Sequence, residues 1–242
     1  MKTKAILFDK DGTLLDFAAL WVKISEFAVR EILEKVNMNI VPADKLLLAL
    51  GIENGIARID GVLAQFPYSI MSKAIYDRLV KYDCKQTLDE ITEITTNAYY
   101  NNLDKGVSKL NDESTKIVLN ELRKEGILLF VVTNDYLDIT SKVLTDSEIF
   151  DCFEKIYSVD LGFPPKPDPM IIEHICEQYG LNKSELIMVG DTLADMEFAK
   201  RGGVVGVGIA KDEVNADILK RNADFVISSI SEIKDIIKKG QI

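Results

Sequence analysis

The chain has 242 residues, a formal net charge of −10 and 47% hydrophobic residues. This composition indicates a globular chain of one large domain or two modest ones, and it excludes a collagen-like, coiled-coil or wholly disordered protein. The acidic balance predicts that neither nucleic acid nor a membrane is a partner, because both are bound through clustered cations. A small phosphorylated molecule is compatible with this charge, since one metal ion or a few placed cations can hold a phosphate locally.

The counts of histidine and cysteine exclude further kinds of site. His174 is the only histidine, which disfavours a Ser-His-Asp triad and a multi-histidine zinc site. Cys84, Cys152 and Cys176 are far apart and odd in number, which predicts free thiols in a reducing compartment. The N-terminal apolar run stops before Asp9 and is too short for a signal peptide core, and no stretch has the roughly 18 apolar residues of a membrane span. These features predict a cytoplasmic protein.

Apolar runs and helical patterns alternate along most of the chain. The first apolar run, residues 4–8, predicts a buried strand that leads into a polar turn. Further strands are predicted at residues 127–132, 155–159, 186–189, 204–209 and 224–227. Helices are predicted at residues 112–125, 169–179, 193–201, 212–221 and 231–239. Strands that alternate with helices favour an α/β fold with a doubly wound, Rossmann-like parallel sheet.

One long segment interrupts this alternation. Helical patterns without intervening strands are predicted at residues 20–36, 43–50, 69–82 and 87–101. Because this segment has its own apolar positions to bury, we predict an inserted all-helical domain instead of a linker. The predicted division is an α/β core at residues 1–16 and 103–242, and a helical domain at residues 17–102.

Polar residues follow the predicted strands at their carboxyl ends, where open parallel sheets bind ligands. These residues are Asp9, Asp11, Thr133, Asn134, Asp191 and Asp195, with Lys166 in the loop 162–169. Converging carboxylates repel one another in a poorly solvated cleft, so they need a cation. Oxygen donors without a nearby histidine or thiolate favour Mg²⁺. Lys166 adds a fixed positive charge for a phosphate, and the sequence therefore predicts a phosphoryl site.

Two carboxylates that lie two residues apart on one loop can divide the chemistry between them. One attacks phosphorus and forms an aspartyl phosphate, while the other gives a proton to the leaving oxygen and then takes one from water. Asp9 and Asp11 have this spacing, and Gly12 allows the turn a conformation that a side chain would forbid.

With these motifs the chain resembles the haloacid dehalogenase superfamily. Four segments carry the resemblance, in the family's order: Asp9-Lys10-Asp11-Gly12-Thr13, a strand ending in Thr133-Asn134, Lys166-Pro167-Asp168-Pro169, and Gly190-Asp191-Thr192-Leu193-Ala194-Asp195. The resemblance covers the α/β part of the chain, and the position of the helical insert is similar to that of the family's C1 cap.

The resemblance implies a role for each of these residues. Asp9 would be the nucleophile and Asp11 the general acid and base. The implied magnesium-site residues are Asp9, Asp11 through its backbone carbonyl, Asp191, and Asp195 as a supporting acid. The implied phosphate-binding groups are Thr133, the Asn134 backbone and Lys166.

Residue types discriminate between branches of the superfamily. Asp11 disfavours the true dehalogenases, whose halide leaves without a proton, and Thr13 favours a phosphatase over a phosphomutase. The similarity is greatest to phosphoglycolate-phosphatase-like members. We therefore expect Mg²⁺-dependent hydrolysis of a small organic phosphate monoester, phosphoglycolate-like or a sugar phosphate, through an aspartyl phosphate. Two alternatives stay open: a phosphomutase of the same superfamily, and a phospho-accepting signalling module of the receiver type.

Overall fold

The computed structural model describes residues 3–58, 61–65 and 68–238. The chain divides into two units, one containing Met1–Asp16 and Leu110–Ile242 and the other containing Phe17–Lys109. The first unit opens with strand β1 (Ala5–Phe8), an uninterrupted apolar run whose four residues are all buried. A strand of this kind belongs in a sheet that is covered on both faces.

The unit Phe17–Lys109 is mainly helical. Its elements are α1 (Lys23–Lys35), α2 (Ala43–Ala49), β2 (Ile52–Glu53), β3 (Ile56–Ala57), α3 (Val62–Gln65), α4 (Tyr68–Leu79) and α5 (Leu88–Asn101). A π-helical turn over Ala18–Val22 precedes α1. Trp21 of this turn and Tyr99 of α5 are both fully buried, with ring centroids 6.4 Å apart, and they pack the π-helical turn against α5.

The remaining elements belong to the α/β unit. They are α6 (Thr115–Lys124), β4 (Leu128–Val132), α7 (Leu137–Asp146), β5 (Lys155–Tyr157), α8 (Met170–Tyr179), β6 (Leu186–Gly190), α9 (Leu193–Gly202), β7 (Val205–Ile209), α10 (Glu213–Leu219), β8 (Phe225–Ile227) and α11 (Ile233–Lys238). The six strands form one parallel sheet in the order β5-β4-β1-β6-β7-β8. The predicted doubly wound α/β class is confirmed.

Strand β1 lies in the middle of this sheet. The later strands lie on both sides of it, β4 and β5 on one side and β6, β7 and β8 on the other. Phe8 at its end pairs with Val131 of β4 on one side and with Val189 of β6 on the other. The loops that follow β1, β4 and β6 therefore leave the same edge next to one another. Side chains from these strands and from α8 and α9 share one buried core, which includes Leu7, Phe130 and Phe198.

The structure differs from the sequence predictions at several boundaries. The second domain boundary lies between residues 109 and 110, later than the predicted 102/103, because a 3₁₀ turn over Leu103–Lys105 packs against α1 and Val107 N donates to Ala19 O. Strand β5 ends at Tyr157, before the predicted residue 159, since Val159–Leu161 forms a 3₁₀ turn. The sequence predictions do not include helices α3 and α7. The predicted all-helical insert is wrong in one respect: it contains the antiparallel hairpin β2–β3, because Asn54 and Gly55 both have positive φ angles and form a tight turn. Among the described residues, no helix combines the length and apolarity needed to cross a membrane.

Candidate active site

Three carboxylates converge at the carboxyl edge of the sheet. Asp9 directly follows β1, Asp191 directly follows β6, and Asp195 lies in the first turn of α9. One carboxylate oxygen of each lies within 4.8 Å of those of the other two. The sheet register causes this approach, because Phe8 and Val189 end their strands side by side and Asp9 N donates a 2.8 Å hydrogen bond to Val189 O. The structure thus brings three of the expected site residues together.

Lys166 supplies a cation that two of these carboxylates share. Its ammonium Nζ lies 2.6 Å from Asp9 Oδ1 and 2.6 Å from Asp195 Oδ1. The Lys166 side chain is only 4% exposed, so these contacts form away from bulk water. Charge-assisted hydrogen bonds are strong in such surroundings, and removal of one partner leaves the others buried and uncompensated. Lys166 is therefore part of the cluster that the sequence predicts.

The side chain of Asn134 fixes the backbone of Lys166. Lys166 N donates to Asn134 Oδ1 at 2.7 Å, and Asn134 Nδ2 donates to Lys166 O at 3.1 Å. The peptide bond between Lys166 and Pro167 is cis. The backbone of Asn134 is predicted to bind phosphate, and the side chain of the same residue supports Lys166. Asn134 positions the lysine that contacts the carboxylates.

Asp195 also caps the helix on which it lies. Thr192 N donates to Asp195 Oδ2 at 3.0 Å and Thr192 Oγ1 donates to the same oxygen at 2.6 Å, while Asp195 N donates to Thr192 Oγ1 at 3.3 Å. This reciprocal capping box fixes the orientation of the carboxylate. One oxygen of Asp195 thus caps α9 and the other contacts Lys166.

The turn after Asp11 packs closely against Asp191. Gly12 has a φ of +86°, and a Cβ at this position would overlap the Asp191 carboxylate. Thr13 Oγ1 donates to Asp191 Oδ1 at 3.2 Å. The side chain of Asn111 donates to the backbone carbonyls of Gly12 and Thr13 and holds the turn in place. Glycine satisfies both the left-handed backbone and the close approach.

Burial makes the charged cluster costly without a further cation. Burial raises the pKa of Asp9 to about 7, and the charges of Asp195 and Asp11 add to this rise while Lys166 opposes it. Burial, together with the charges of Asp9 and Asp195, also raises the pKa of Asp191 well above its usual range. Burial disfavours the charge on Lys166, but the nearby Asp195 and Asp9 outweigh it and raise its pKa. The positive charge of Lys166 therefore does not balance the charges of the three carboxylates.

Thr133 lies at the end of β4, and its hydroxyl has a defined orientation. Its Oγ1 accepts a 3.2 Å hydrogen bond from Asp135 N, and the residue is buried. Because the oxygen already accepts from the backbone, the hydroxyl hydrogen is directed elsewhere and can be donated to an anionic oxygen.

Asp11 takes part in a second buried cluster, beside the first. Lys10 Nζ lies 2.9 Å from Asp11 Oδ2 and 2.7 Å from Asp135 Oδ2. Burial disfavours the charge on Lys10, but Asp11 and Asp135 outweigh it and raise its pKa. Lys10 and Asp135 are not among the site residues predicted from the sequence. The sequence does contain a signal for this pair: a lysine lies between Asp9 and Asp11, and an aspartate directly follows Thr133-Asn134.

The fold and this site define an α/β protein of the Rossmann-like class with an acidic, lysine-containing site at its central strands. The sequence model of the haloacid dehalogenase-like hydrolases matches residues 3–203. The chain therefore belongs to this family, which confirms the predicted resemblance and the prediction that the protein is a hydrolase.

Several relatives match along almost the whole chain. A phosphoglycolate phosphatase from Nitrosospira multiformis is 28% identical over 243 residues, which cover 98% of this chain and 96% of the relative. A solved structure described as a predicted phosphoglycolate phosphatase from Haemophilus somnus has a TM-score of 0.75 and 24% identity, with 98% of each chain covered. A hydrolase of the same family from Bacillus subtilis, described as bound to magnesium, has a TM-score of 0.70 and 21% identity, with 98% of this chain and 99% of that chain covered.

Proposed function

We propose that the protein is a Mg²⁺-dependent phosphatase that hydrolyses a small organic phosphate monoester through an aspartyl phosphate at Asp9. The observation that carries this proposal is the contact of Lys166 with both Asp9 and Asp195, beside Asp191 and at the carboxyl edge of the sheet. A buried nucleophilic carboxylate next to a fixed cation suits attack on an anionic phosphoryl group.

The residues present fit a hard divalent cation, since the converging donors are carboxylate oxygens. Asp9, Asp191 and the backbone carbonyl of Asp11 would hold it. Asp195 would support the site through Lys166, because its two oxygens are engaged by Lys166 and by Thr192. When bound, Mg²⁺ would neutralise the carboxylates and polarise the phosphoryl oxygens. A family neighbour described as bound to magnesium supports this choice of ion.

The chain's own residues divide the remaining work. Thr133 Oγ1, Asn134 N and the Lys166 ammonium would bind the phosphoryl oxygens and orient phosphorus toward Asp9. An Asp9 oxygen forms a bond to phosphorus, and the bond from phosphorus to the ester oxygen breaks with its electron pair on that oxygen. Asp11 gives that oxygen a proton.

The second half of the reaction returns Asp9 and Asp11 to their starting states. Asp11 takes a proton from water, the water oxygen bonds to phosphorus, and the bond from phosphorus to Asp9 breaks with its electron pair on the carboxylate. The products are an alcohol and inorganic phosphate, and Asp11 has regained its proton.

The curated relative named phosphoglycolate phosphatase supports phosphoglycolate or a similarly small ester as the substrate. The helical unit Phe17–Lys109, inserted between the first catalytic loop and the rest of the core, is proposed to act as the cap that selects the leaving group. A cytoplasmic location stays a prediction.

A phosphate-release screen tests this function. We expect the purified protein with Mg²⁺ to release inorganic phosphate from para-nitrophenyl phosphate and from at least one metabolite in a panel that includes phosphoglycolate and sugar phosphates. Chelation with EDTA should stop the release and added Mg²⁺ should restore it, because the buried carboxylates need a cation.

Product analysis and the lifetime of the aspartyl phosphate separate the alternatives. A phosphomutase would convert a sugar phosphate into its isomer without net phosphate release, and a signalling module would stay phosphorylated for minutes without turnover. Full activity after exhaustive chelation would contradict the metal-dependent proposal.

A further inference from the structure

Two oppositely charged side chains are buried beside Asp11, outside the carboxylate cluster that faces Lys166. Lys10 is fully buried and Asp135 is 2% exposed. Their contact joins the loop after β1 to the loop after β4, and Lys10 Nζ reaches Asp11 Oδ2 as well. Burying two such charges carries a large desolvation cost before their attraction is counted. A buried ion pair of this kind often adds little to the free energy of unfolding, so a positioning role is the better explanation for it.

Asp135 holds its end of this pair rigidly. Its Oδ1 accepts a 2.8 Å hydrogen bond from Tyr136 N, and its Oδ2 accepts the 2.7 Å bond from Lys10. Its own N–H donates to Thr133 Oγ1. Both carboxylate oxygens are therefore engaged, so the position of Lys10 is set by the backbone that follows β4.

The two carboxylate oxygens of Asp11 differ in their hydrogen-bond partners. Oδ2 receives the Lys10 ammonium at 2.9 Å, whereas Oδ1 is buried and has no hydrogen-bond partner among the residues that the structure describes. Buried polar atoms are nearly always paired, so an unpaired one marks a place where a partner is expected. When the proton of a protonated Asp11 is on Oδ1, Oδ2 is the carbonyl oxygen, which is the better acceptor for the Lys10 ammonium.

We propose that Lys10 and Asp135 are positioning residues that hold Asp11 by Oδ2 and so make Oδ1 the atom that passes the proton. This inference rests on the proposed phosphatase function. In the first half-reaction the Oδ1–H bond breaks and its proton goes to the ester oxygen as the phosphorus–oxygen bond breaks. In the second, Oδ1 takes a proton from the attacking water. Lys10 keeps its hydrogen bond to Oδ2 throughout and exchanges no proton.

This role has a signature that simple structural support lacks. An acid matters more as the leaving group becomes more basic, because a basic alkoxide needs its proton in the transition state. Para-nitrophenyl phosphate and phenyl phosphate have closely similar shapes but differ in the basicity of the leaving phenolate. The measured quantity is the ratio of kcat/KM for the first ester to that for the second, in the presence of Mg²⁺.

The main variant is K10M/D135N, which removes both charges and leaves neither buried alone. We expect its ratio to exceed that of the parent by about tenfold or more, since a positioned acid contributes about 10²–10⁴-fold to a basic leaving group. D11N should raise the ratio similarly. Adding K10M/D135N to D11N should change the ratio by less than about twofold, because residues that act as one unit are not additive.

A second variant, D135A, keeps the charge balance between Lys10 and Asp11 and removes only the anchor. It should raise the ratio in the same direction, and it decides the question if K10M/D135N does not fold. K116M is the control, because it removes an exposed lysine that pairs with Glu148, and its ratio should equal that of the parent.

Equal losses for both esters in every folded variant would show a structural role alone and overturn the inference. A further rise of the ratio in the D11N background would also overturn it, since Lys10 would then act independently of Asp11. If the parent is active and the variants have the same ratio as the parent, only this inference is contradicted. A parent that releases no phosphate from any ester contradicts the proposed function and this inference together.

Discussion

Replacing Asp9 with asparagine should lower the rate of phosphate release by at least about a thousandfold, the order of loss seen when a catalytic nucleophile is removed. The amide has nearly the shape of the carboxylate, but it is a poor nucleophile and carries no charge for a cation. The fold should survive, because the substitution also removes one charge from a buried cluster that lacks enough cations. Steady-state release from para-nitrophenyl phosphate, with thermal unfolding in parallel, measures both effects.

The matched control for this variant is D212N. Asp212 is exposed and caps α10 by accepting a hydrogen bond from Asn215 N, and asparagine caps a helix equally well. Its activity should equal that of the parent. Activity of D9N within a few-fold of D212N would remove Asp9 from the mechanism.

Replacing Lys166 with methionine should lower kcat/KM by about 10²–10³-fold, comparable to the loss of a preorganised group that stabilises transition-state charge. The same change removes the cation that Asp9 and Asp195 share. In EDTA we expect the free energy of unfolding to fall by about 3–5 kcal/mol, the usual cost of breaking a buried ion pair from one side. Mg²⁺ should recover part of that stability but little of the activity.

The control for K166M is K220M, which removes an exposed lysine paired with Asp217. An exposed pair contributes little, so both activity and unfolding should match those of the parent. If K166M keeps full activity, the phosphoryl group is not held where this account places it. If only stability changes, Lys166 organises the carboxylates without touching the substrate.

Most strands of the sheet could be predicted from the sequence because they are short, largely buried apolar runs that end in polar residues. Helix α7 could not, because Ile139, Thr140, Val143 and Thr145 are β-branched and weaken a helical interpretation. The hairpin has a signal in the sequence, the dipeptide Asn54-Gly55, whose residues have φ angles of 51° and 76°. Two consecutive positive φ angles are typical of a two-residue hairpin turn.

Part of the candidate site could likewise be predicted from the sequence, and part could not. The approach of Asp9 to Asp191 follows from topology alone, since parallel strands bring their carboxyl ends to one edge of the sheet. The pairing of Lys10 with Asp135 depends on side-chain direction across two loops that are 125 residues apart in the chain. The use of the Asn134 side chain as a support for Lys166 likewise depends on the path of a loop that no periodicity describes.

The most direct test of the account is chemical trapping of the covalent intermediate during turnover. Borohydride reduces an acyl phosphate to an alcohol, so a trapped aspartyl phosphate becomes homoserine, which peptide mass spectrometry locates. With Mg²⁺ and an excess of para-nitrophenyl phosphate, we expect homoserine at Asp9 and, without substrate, an unmodified carboxylate. Trapping at another acid, or steady turnover with Asp9 never modified, would contradict the claim that the buried carboxylate beside Lys166 is the phosphoryl acceptor.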